Sequence, residues 1–561
     1  MVQPNQYQEN LSSGASSTQD LLANDPNTSK LAGSSNKFDA DINVSSKDSR
    51  DTESYSHGHH FLEAEPSKLV ILVTLASSIS GFMFGYDTGY ISSALVQVGT
   101  DLSNKVLTNG EKEFITSATS LGALFGAILS GIAANIIGRK KVLMSSNVFF
   151  VIGTIIQLAA KTVWTMIAGR FVLGWGVGIA SMIAPLMLSE LAPPKYRGRL
   201  IVTNVMFITG GQLIAYLINW GLTNVSHGWR VSVGLCMVPP VIQTVLFFFL
   251  PDTPRFYVMN NQIERAKEVF AKIYRNPPKE FVDERIEEMV ESNSMVYGST
   301  PLQKTWTSIK LIHTKGANFR ALILACGLQG IQQFTGFNSL MYFSATIFET
   351  IGFKNPTAVS IIVSATNFVF TLVALLIIDH VGRRRILLIS IPCMCGSLIL
   401  CAIAFHFLGV KFGSGSNVIV KEQGITGWGI IVIIGMVLFV ASYAIGIGNS
   451  AWVGVELFSD VNVRSVGSMY AAATNWSGSL TIASTFLTML QRITPVGTFS
   501  FFAALCAVSF LFVYFLLPEV AGLKLEETSS LLADGFNVKA ASKLSKERKR
   551  QAKLQLGENE A

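Results

Sequence analysis

Residues 131–141 read GIAANIIGRKK, and residues 374–385 read ALLIIDHVGRRR. Each stretch ends an apolar run, closes on a Gly-Arg pair and continues into further basic residues. About 20 mostly apolar residues cross a bilayer core as a helix. Lys and Arg concentrate in the loops on the cytoplasmic side. The two stretches therefore mark the same loop in two copies of one unit, the loop that follows the second span of each half.

Six apolar runs lie before residue 251, at roughly 69–97, 114–137, 142–160, 164–188, 201–222 and 229–250. Six more follow residue 318, at roughly 319–349, 357–378, 386–408, 427–458, 465–490 and 496–517. The expected fold is an all-α membrane protein of twelve transmembrane helices in two six-helix bundles. Duplicated halves of this kind place a solute site near the midplane between them. Residues 67–250 form the N-terminal bundle and 319–517 the C-terminal bundle. Between them, 251–318 is a polar cytoplasmic loop with short helices; QIERAKEVFAKIY (262–274) is amphipathic and PPKEFVDERIEEMVE (277–291) is highly charged.

Composition agrees. Half of the 561 residues are hydrophobic, only 14% are charged, and the mean hydropathy is +0.43. The net charge of +7 sits between apolar runs, where topology accounts for it and nucleic acid need not be invoked. Residues 1–66 are rich in Ser, Asn and Asp and have no apolar h-region. They are expected to be a disordered cytoplasmic tail rather than a signal peptide. Residues 518–561 form a second cytoplasmic tail with a basic run from Lys543 to Lys553. The six cysteines all lie in apolar runs, which argues for packing rather than disulfides or metal. The basic loops alternate with charge-poor ones, so both termini and the central loop face the cytoplasm, in a multi-pass plasma-membrane protein.

Eight motifs, in order, resemble the sugar-porter branch of the major facilitator superfamily. They are GYDTG (85–89), GRFVLGWGVG (169–178), LSELAPPKYRGRL (188–200), PDTPRFY (251–257), QQFTGFN (332–338), DHVGRRR (379–385), ATNW (473–476) and PEVAGLKLEE (518–527). The resemblance covers about Val70 to Glu527. Within that branch the chain is most similar to fungal myo-inositol/proton symporters, through residues 332–368, 250–261, 483–503 and 534–543. The resemblance implies import of myo-inositol with protons by alternating access, through a monomeric unit in the lipid bilayer. The alternatives are a facilitative or proton-coupled hexose carrier, or a nutrient receptor that does not transport.

Asp87 is the most informative residue. A carboxylate at membrane depth is costly unless paired, protonated or wetted. Arg170, at the start of the fourth span, is its natural partner, and the resemblance brings the two together as a proton switch. The plain alternative is a static ion pair. Recognition of a neutral polyol calls for amides, which donate and accept without a charge. The matching positions are Gln212, Gln332, Gln333, Asn338 and Asn475, with Trp452 and Trp476 as aromatic walls. A single buried amide can equally be interhelical glue. The resemblance also assigns a cytoplasmic gate to Glu190, Arg197, Asp379, Arg383, Glu456 and Arg464. Topology alone would explain the arginines but not the acids.

Several positions depart from the family pattern. Asn135 stands where Asp is usual, and Ala451 and Ser459 stand where proline is usual. Span 10 is therefore expected to hinge on Gly446, Gly448 and Gly454 if it hinges at all. His227 lies in a short external loop. No phosphate-binding loop, catalytic constellation or metal set is visible, so neither an enzyme, a cofactor nor a metal is expected.

Overall fold

The computed structural model describes residues 66–558, apart from 194–195, 275–276, 295–300, 411–426, 453–456, 459–460, 521–522 and 524. The expected N-terminal tail lies outside the described residues except for Pro66. So do Glu456, Gly454, Ser459 and the side chains of Arg197 and Asp379.

Among the described residues, ten helices are long and apolar enough to cross a membrane. They are spans 1–6 (Lys68–Gln97, Asn109–Ile137, Arg139–Leu158, Val163–Leu191, Gly198–Gly221, Gly228–Phe249) and spans 8, 9, 10 and 12 (Pro356–Ile378, Arg383–Leu408, Gly427–Ser450, Thr494–Leu516). Spans 7 and 11 complete the twelve as broken helices. Span 7 runs Gly316–Phe334, turns at Gly336 and resumes at Phe337–Ile351. Span 11 runs Val461–Ala483 and resumes at Phe486–Arg492. Both miss a simple hydropathy criterion because they carry polar side chains where other spans carry Leu or Ile. Four shorter helices fill the connection between span 6 and span 7: Pro254–Met259, Ile263–Ile273, Lys279–Ser294 and Pro301–Thr314.

The first bundle is packed through glycine. A Cβ on Gly85 would fall 1.8 Å from the Ile208 carbonyl oxygen, and one on Gly178 would fall 2.0 Å from that of Ala123. Spans 1 and 5, and spans 2 and 4, thus touch backbone to backbone. In lipid, where apolar burial does not drive helix association, close van der Waals approach does.

The repeat seen in sequence closes identically in both halves. Gly138 and Gly382 join the second and third spans of their bundles with nearly equal angles, φ +97 and +98. A carboxylate from beyond the sixth span caps the following turn. Asp252 accepts from the Lys140 amide at 3.2 Å, and Glu519 accepts from the Arg384 amide at 3.1 Å. Burial pushes the Asp252 carboxyl above its ordinary range. Call this end of the molecule, with its arginines, the basic face.

At the opposite face the bundles are tied to each other. Glu113 of span 2 accepts from the amide and the hydroxyl of Thr488 in span 11, both at 2.7 Å. Tyr216 of span 5 donates to the Met341 carbonyl of span 7 at 2.7 Å. Ser92 and Ser344 meet at 3.1 Å.

Candidate substrate site and buried ion pair

The break in span 7 builds the amide cluster. Gly336 adopts φ +84, ψ 4, a left-handed turn that glycine takes without a Cβ penalty. The turn ends one half-helix just after Gln329, Gln332 and Gln333. It starts the next one residue before Asn338, so Asn338 folds back and its Nδ2 donates to Gln333 Oε1 at 2.8 Å. Gln332 donates to the Gly448 carbonyl of span 10 at 3.1 Å. Asn475 of span 11 donates to Gln332 Oε1 at 2.8 Å and to Gln329 Oε1 at 2.6 Å. On the other side of the interface, Asn367 of span 8 donates to Gln212 Oε1 of span 5 at 3.1 Å.

Apart from Gln329, these groups line a cavity of about 560 Å³ between the bundles. Span 1 contributes Phe84 and Thr88, span 5 Gln212, span 7 Gln332, Gln333, Phe337 and Asn338. Asn367, Tyr443, Asn449, Trp452 and Asn475 complete it. Phe337 and Tyr443 stack at 3.7 Å between centroids. No acidic or basic side chain lines the cavity, so it suits a neutral, hydroxylated solute. A second cavity of about 550 Å³ shares Trp452 and runs past Ser181, Ser189, Ser468 and Arg464 toward the basic face.

Six of the seven expected binding residues therefore share one cavity. Trp476 stands apart. Its indole nitrogen donates to Ser181 at 3.1 Å and its ring meets Phe84 edge-on at 5.4 Å. It packs behind the cavity wall, at the contact between spans 11 and 4. Asn367 and Thr88 were not anticipated. Asn367 had a legible signal, a lone amide in the apolar run of span 8, and such residues rarely face lipid.

Asp87 and Arg170 meet as an ion pair, Arg170 Nη1 donating to Asp87 Oδ1, with both side chains almost fully buried. The same nitrogen reaches the Tyr90 hydroxyl at 2.9 Å, and that hydroxyl donates to Gln157 at 2.6 Å. Arg170 Nε donates to the Ile115 carbonyl at 3.3 Å. Asp87 Oδ2 and Arg170 Nη2 have no partner among the described residues. The pair adjoins the cavity through the next residue, Thr88, and lies within electrostatic reach of Tyr342 in span 7. It can exist ionised and paired, or with a proton on Asp87.

At the basic face, Glu190 pairs with Arg139 at 2.8 Å, inside the first bundle. Arg139 also donates to the Ala134 carbonyl at 3.0 Å, one residue from the departure at Asn135. Arg464 is buried at the start of span 11 and donates to the Phe458 carbonyl at 3.1 and 3.3 Å. Arg383 is partly buried at the start of span 9. On the opposite face, His227 and Trp229 both reach Asp101, at 2.7 and 2.8 Å. All six cysteines are free. No cluster of potential metal ligands occurs among the described residues.

Twelve spans in two pseudo-repeated bundles, enclosing an uncharged amide-lined cavity, define a major facilitator solute carrier. The chain belongs to the sugar (and other) transporter family, whose sequence model matches residues 73–532. It is 75% identical over 492 residues to the myo-inositol transporter 1 of Candida albicans, covering 88% of each chain. It is 56% identical over 485 residues to the myo-inositol transporter 1 of Saccharomyces cerevisiae, covering 86% of this chain and 83% of that one. Among solved structures, it superposes on the proton:xylose symporter XylE bound to 6-bromo-6-deoxy-D-glucose with a TM-score of 0.69. That match has 23% identity and covers 83% of this chain and 99% of the other. A partially occluded inward-open form of XylE from E. coli matches with a TM-score of 0.67 and 22% identity, covering 82% and 100%. These two likenesses establish the fold.

Proposed function

We propose that this chain imports myo-inositol across the plasma membrane by proton symport. The observation that carries the substrate is the 75% identity to a named myo-inositol transporter, sustained over 88% of both chains. The cavity is consistent with it. Its amides donate and accept toward hydroxyls, its aromatic rings cover C–H faces, and it holds no charge that a neutral ring would leave unpaired.

Protons enter the account through Asp87. Paired with Arg170, the carboxylate ties span 1 to span 4. A proton on the unpartnered Oδ2 removes the negative charge and frees the arginine. Breaking a buried pair shifts a conformational equilibrium by about 3–5 kcal/mol, enough to reverse it. The seal through Glu113, Tyr216 and Ser92 then opens and closes alternately with the basic face. That face, with both termini and residues 1–66, 251–318 and 518–561, is cytoplasmic in this account. Glu190 with Arg139 orders the first bundle's edge of that side and Arg464 the second bundle's, for the contact that closes there when the opposite side is open. One chain makes the transport unit.

Uptake of labelled myo-inositol, glucose and xylose, with and without a protonophore, tests this. The expected result is concentrative inositol uptake that acidic medium stimulates and the protonophore abolishes. Uptake indifferent to acidity, and blocked by glucose but not inositol, would instead make the chain a hexose facilitator.

A further inference from the structure

Span 10 stops at Gly446, whose φ −98 and ψ −103 lie outside the helical region. A single turn, Ile447–Ser450, follows. The break brings Asn449 into the cavity wall, although the side chain is only 1% exposed. Asn449 Nδ2 donates to the Ala444 carbonyl at 2.7 Å, a carbonyl released by the break. A carbonyl can only accept, so this contact fixes which end of the amide is which. The oxygen must point the other way, and Asn449 Oδ1 has no partner among the described residues.

The three glutamines of the cavity are arranged differently. The side-chain oxygens of Gln212, Gln332 and Gln333 each accept from a neighbouring amide. Those residues are left with N–H groups to offer. The Gly448 carbonyl beside Asn449 is likewise occupied, by Gln332. A buried acceptor left unpaired destabilises the empty protein, and a ligand that donates to it removes that penalty.

We propose that Asn449 is a specificity-determining residue: its fixed side-chain oxygen accepts a hydrogen bond from one hydroxyl of the bound ring. This rests on the polyol reading of the same cavity. A carbocyclic polyol carries a hydroxyl on every ring carbon. A pyranose has one ring oxygen, which accepts but cannot donate. An acceptor that faces this ring position rejects the pyranose and keeps the polyol. The discrimination comes from leaving a buried polar group unpaired, which selects more sharply than shape does.

The test is competition against labelled myo-inositol uptake by a series of inositols, each with one hydroxyl replaced by fluorine, and by glucose. It is run in the wild type, in Asn449→Ala and in Asn449→Asp, which retains an acceptor. In the wild type one analogue competes roughly tenfold or more weakly than inositol, because fluorine cannot donate. In Asn449→Ala, inositol weakens to the level of that analogue and the gap closes, while the other analogues fall in parallel with inositol. The preference over glucose narrows as well. Asn449→Asp keeps the gap. A wild type that imports inositol with no single-position penalty overturns the assignment alone, and that arm needs no variant to fold. So does an Asn449→Ala protein that weakens the whole series by one factor. A wild type that does not bind inositol overturns the polyol reading together with this one.

Discussion

The two bundles derive from one repeated unit but are packed in opposite ways. In the first, Gly85, Gly122, Gly174 and Gly178 let backbone lie on backbone, each with a carbonyl oxygen as the nearest neighbour. In the second, the glycines face side chains instead: Gly327 the Phe512 ring, Gly336 the Phe502 ring, Gly446 the Ser390 hydroxyl and Gly467 the Phe458 ring. Backbone contacts cannot yield, whereas side chains can change rotamer. Helix breaks are also more frequent in the second bundle, where spans 7, 10 and 11 are interrupted, than in the first, where span 6 is interrupted at Cys236 and Met237. The comparison teaches a division of labour. The first bundle is a stiff frame that holds the Asp87–Arg170 pair, and the second supplies movable half-helices that carry most of the amides.

The largest effect expected from this contrast is on folding. Gly85→Ala drives a methyl into the Ile208 carbonyl and costs about 3 kcal/mol or more, so the protein should not accumulate. Gly330→Ala, in span 7, meets nothing closer than 3.9 Å and should stay within about 0.5 kcal/mol of the wild type. Yield and thermal midpoint in detergent compare the two, and equal losses would break the contrast.

Next is Gln332→Ala, which removes one of the two acceptors of Asn475 and the side-chain donor to the Gly448 carbonyl. The loss is about 1–3 kcal/mol, so KM for inositol should rise roughly 5- to 150-fold. Folding should be less affected than in Gly85→Ala. Glu113→Gln is gentler. It keeps an acceptor for Thr488 but removes the charge that strengthens both bonds, about 1 kcal/mol. The balance should move about fivefold toward the state open opposite the basic face. Alkylation of a Thr88→Cys reporter from outside should speed up accordingly.

The smallest effect is expected at Asp101, in the stiff half but outside the membrane. Hydrogen bonding from Trp229, and then from His227, holds its carboxyl below the usual range. A lowered folded pKa means that the stabilisation is complete above the ordinary carboxylate value, about 4, and fades as pH falls further. Asp101→Asn should lower the stability by less than about 1 kcal/mol at neutral pH, read from the thermal midpoint. The gap to the wild type should close in acid.

Much of this division was legible in the sequence. Apolar runs located the spans, and the paired Gly-Arg turns revealed the repeat. Asp87 and Arg170 were evident because charge inside a membrane segment demands a partner. The amides of span 7 were evident because Gly336 interrupts a run that they already make polar. Other features were not legible. Trp476 lies one residue after Asn475, but helical rotation turns it away from the cavity and toward Ser181. Arg139 looked like a topology signal, and only the fold sets it on Glu190. The matched roles of Asp252 and Glu519 depend on two chain ends folding back over turns more than 100 residues away. The unpaired oxygen of Asn449 was hidden because nothing in a single sequence says which end of an amide a helix break occupies.

The central claim is that the buried pair couples protons to solute movement. Asp87→Asn keeps the shape and removes the titratable group. Reconstituted in vesicles, it should lose all uphill accumulation of inositol under a proton gradient while retaining exchange of internal for external inositol. Accumulation against a gradient at wild-type levels would contradict the account.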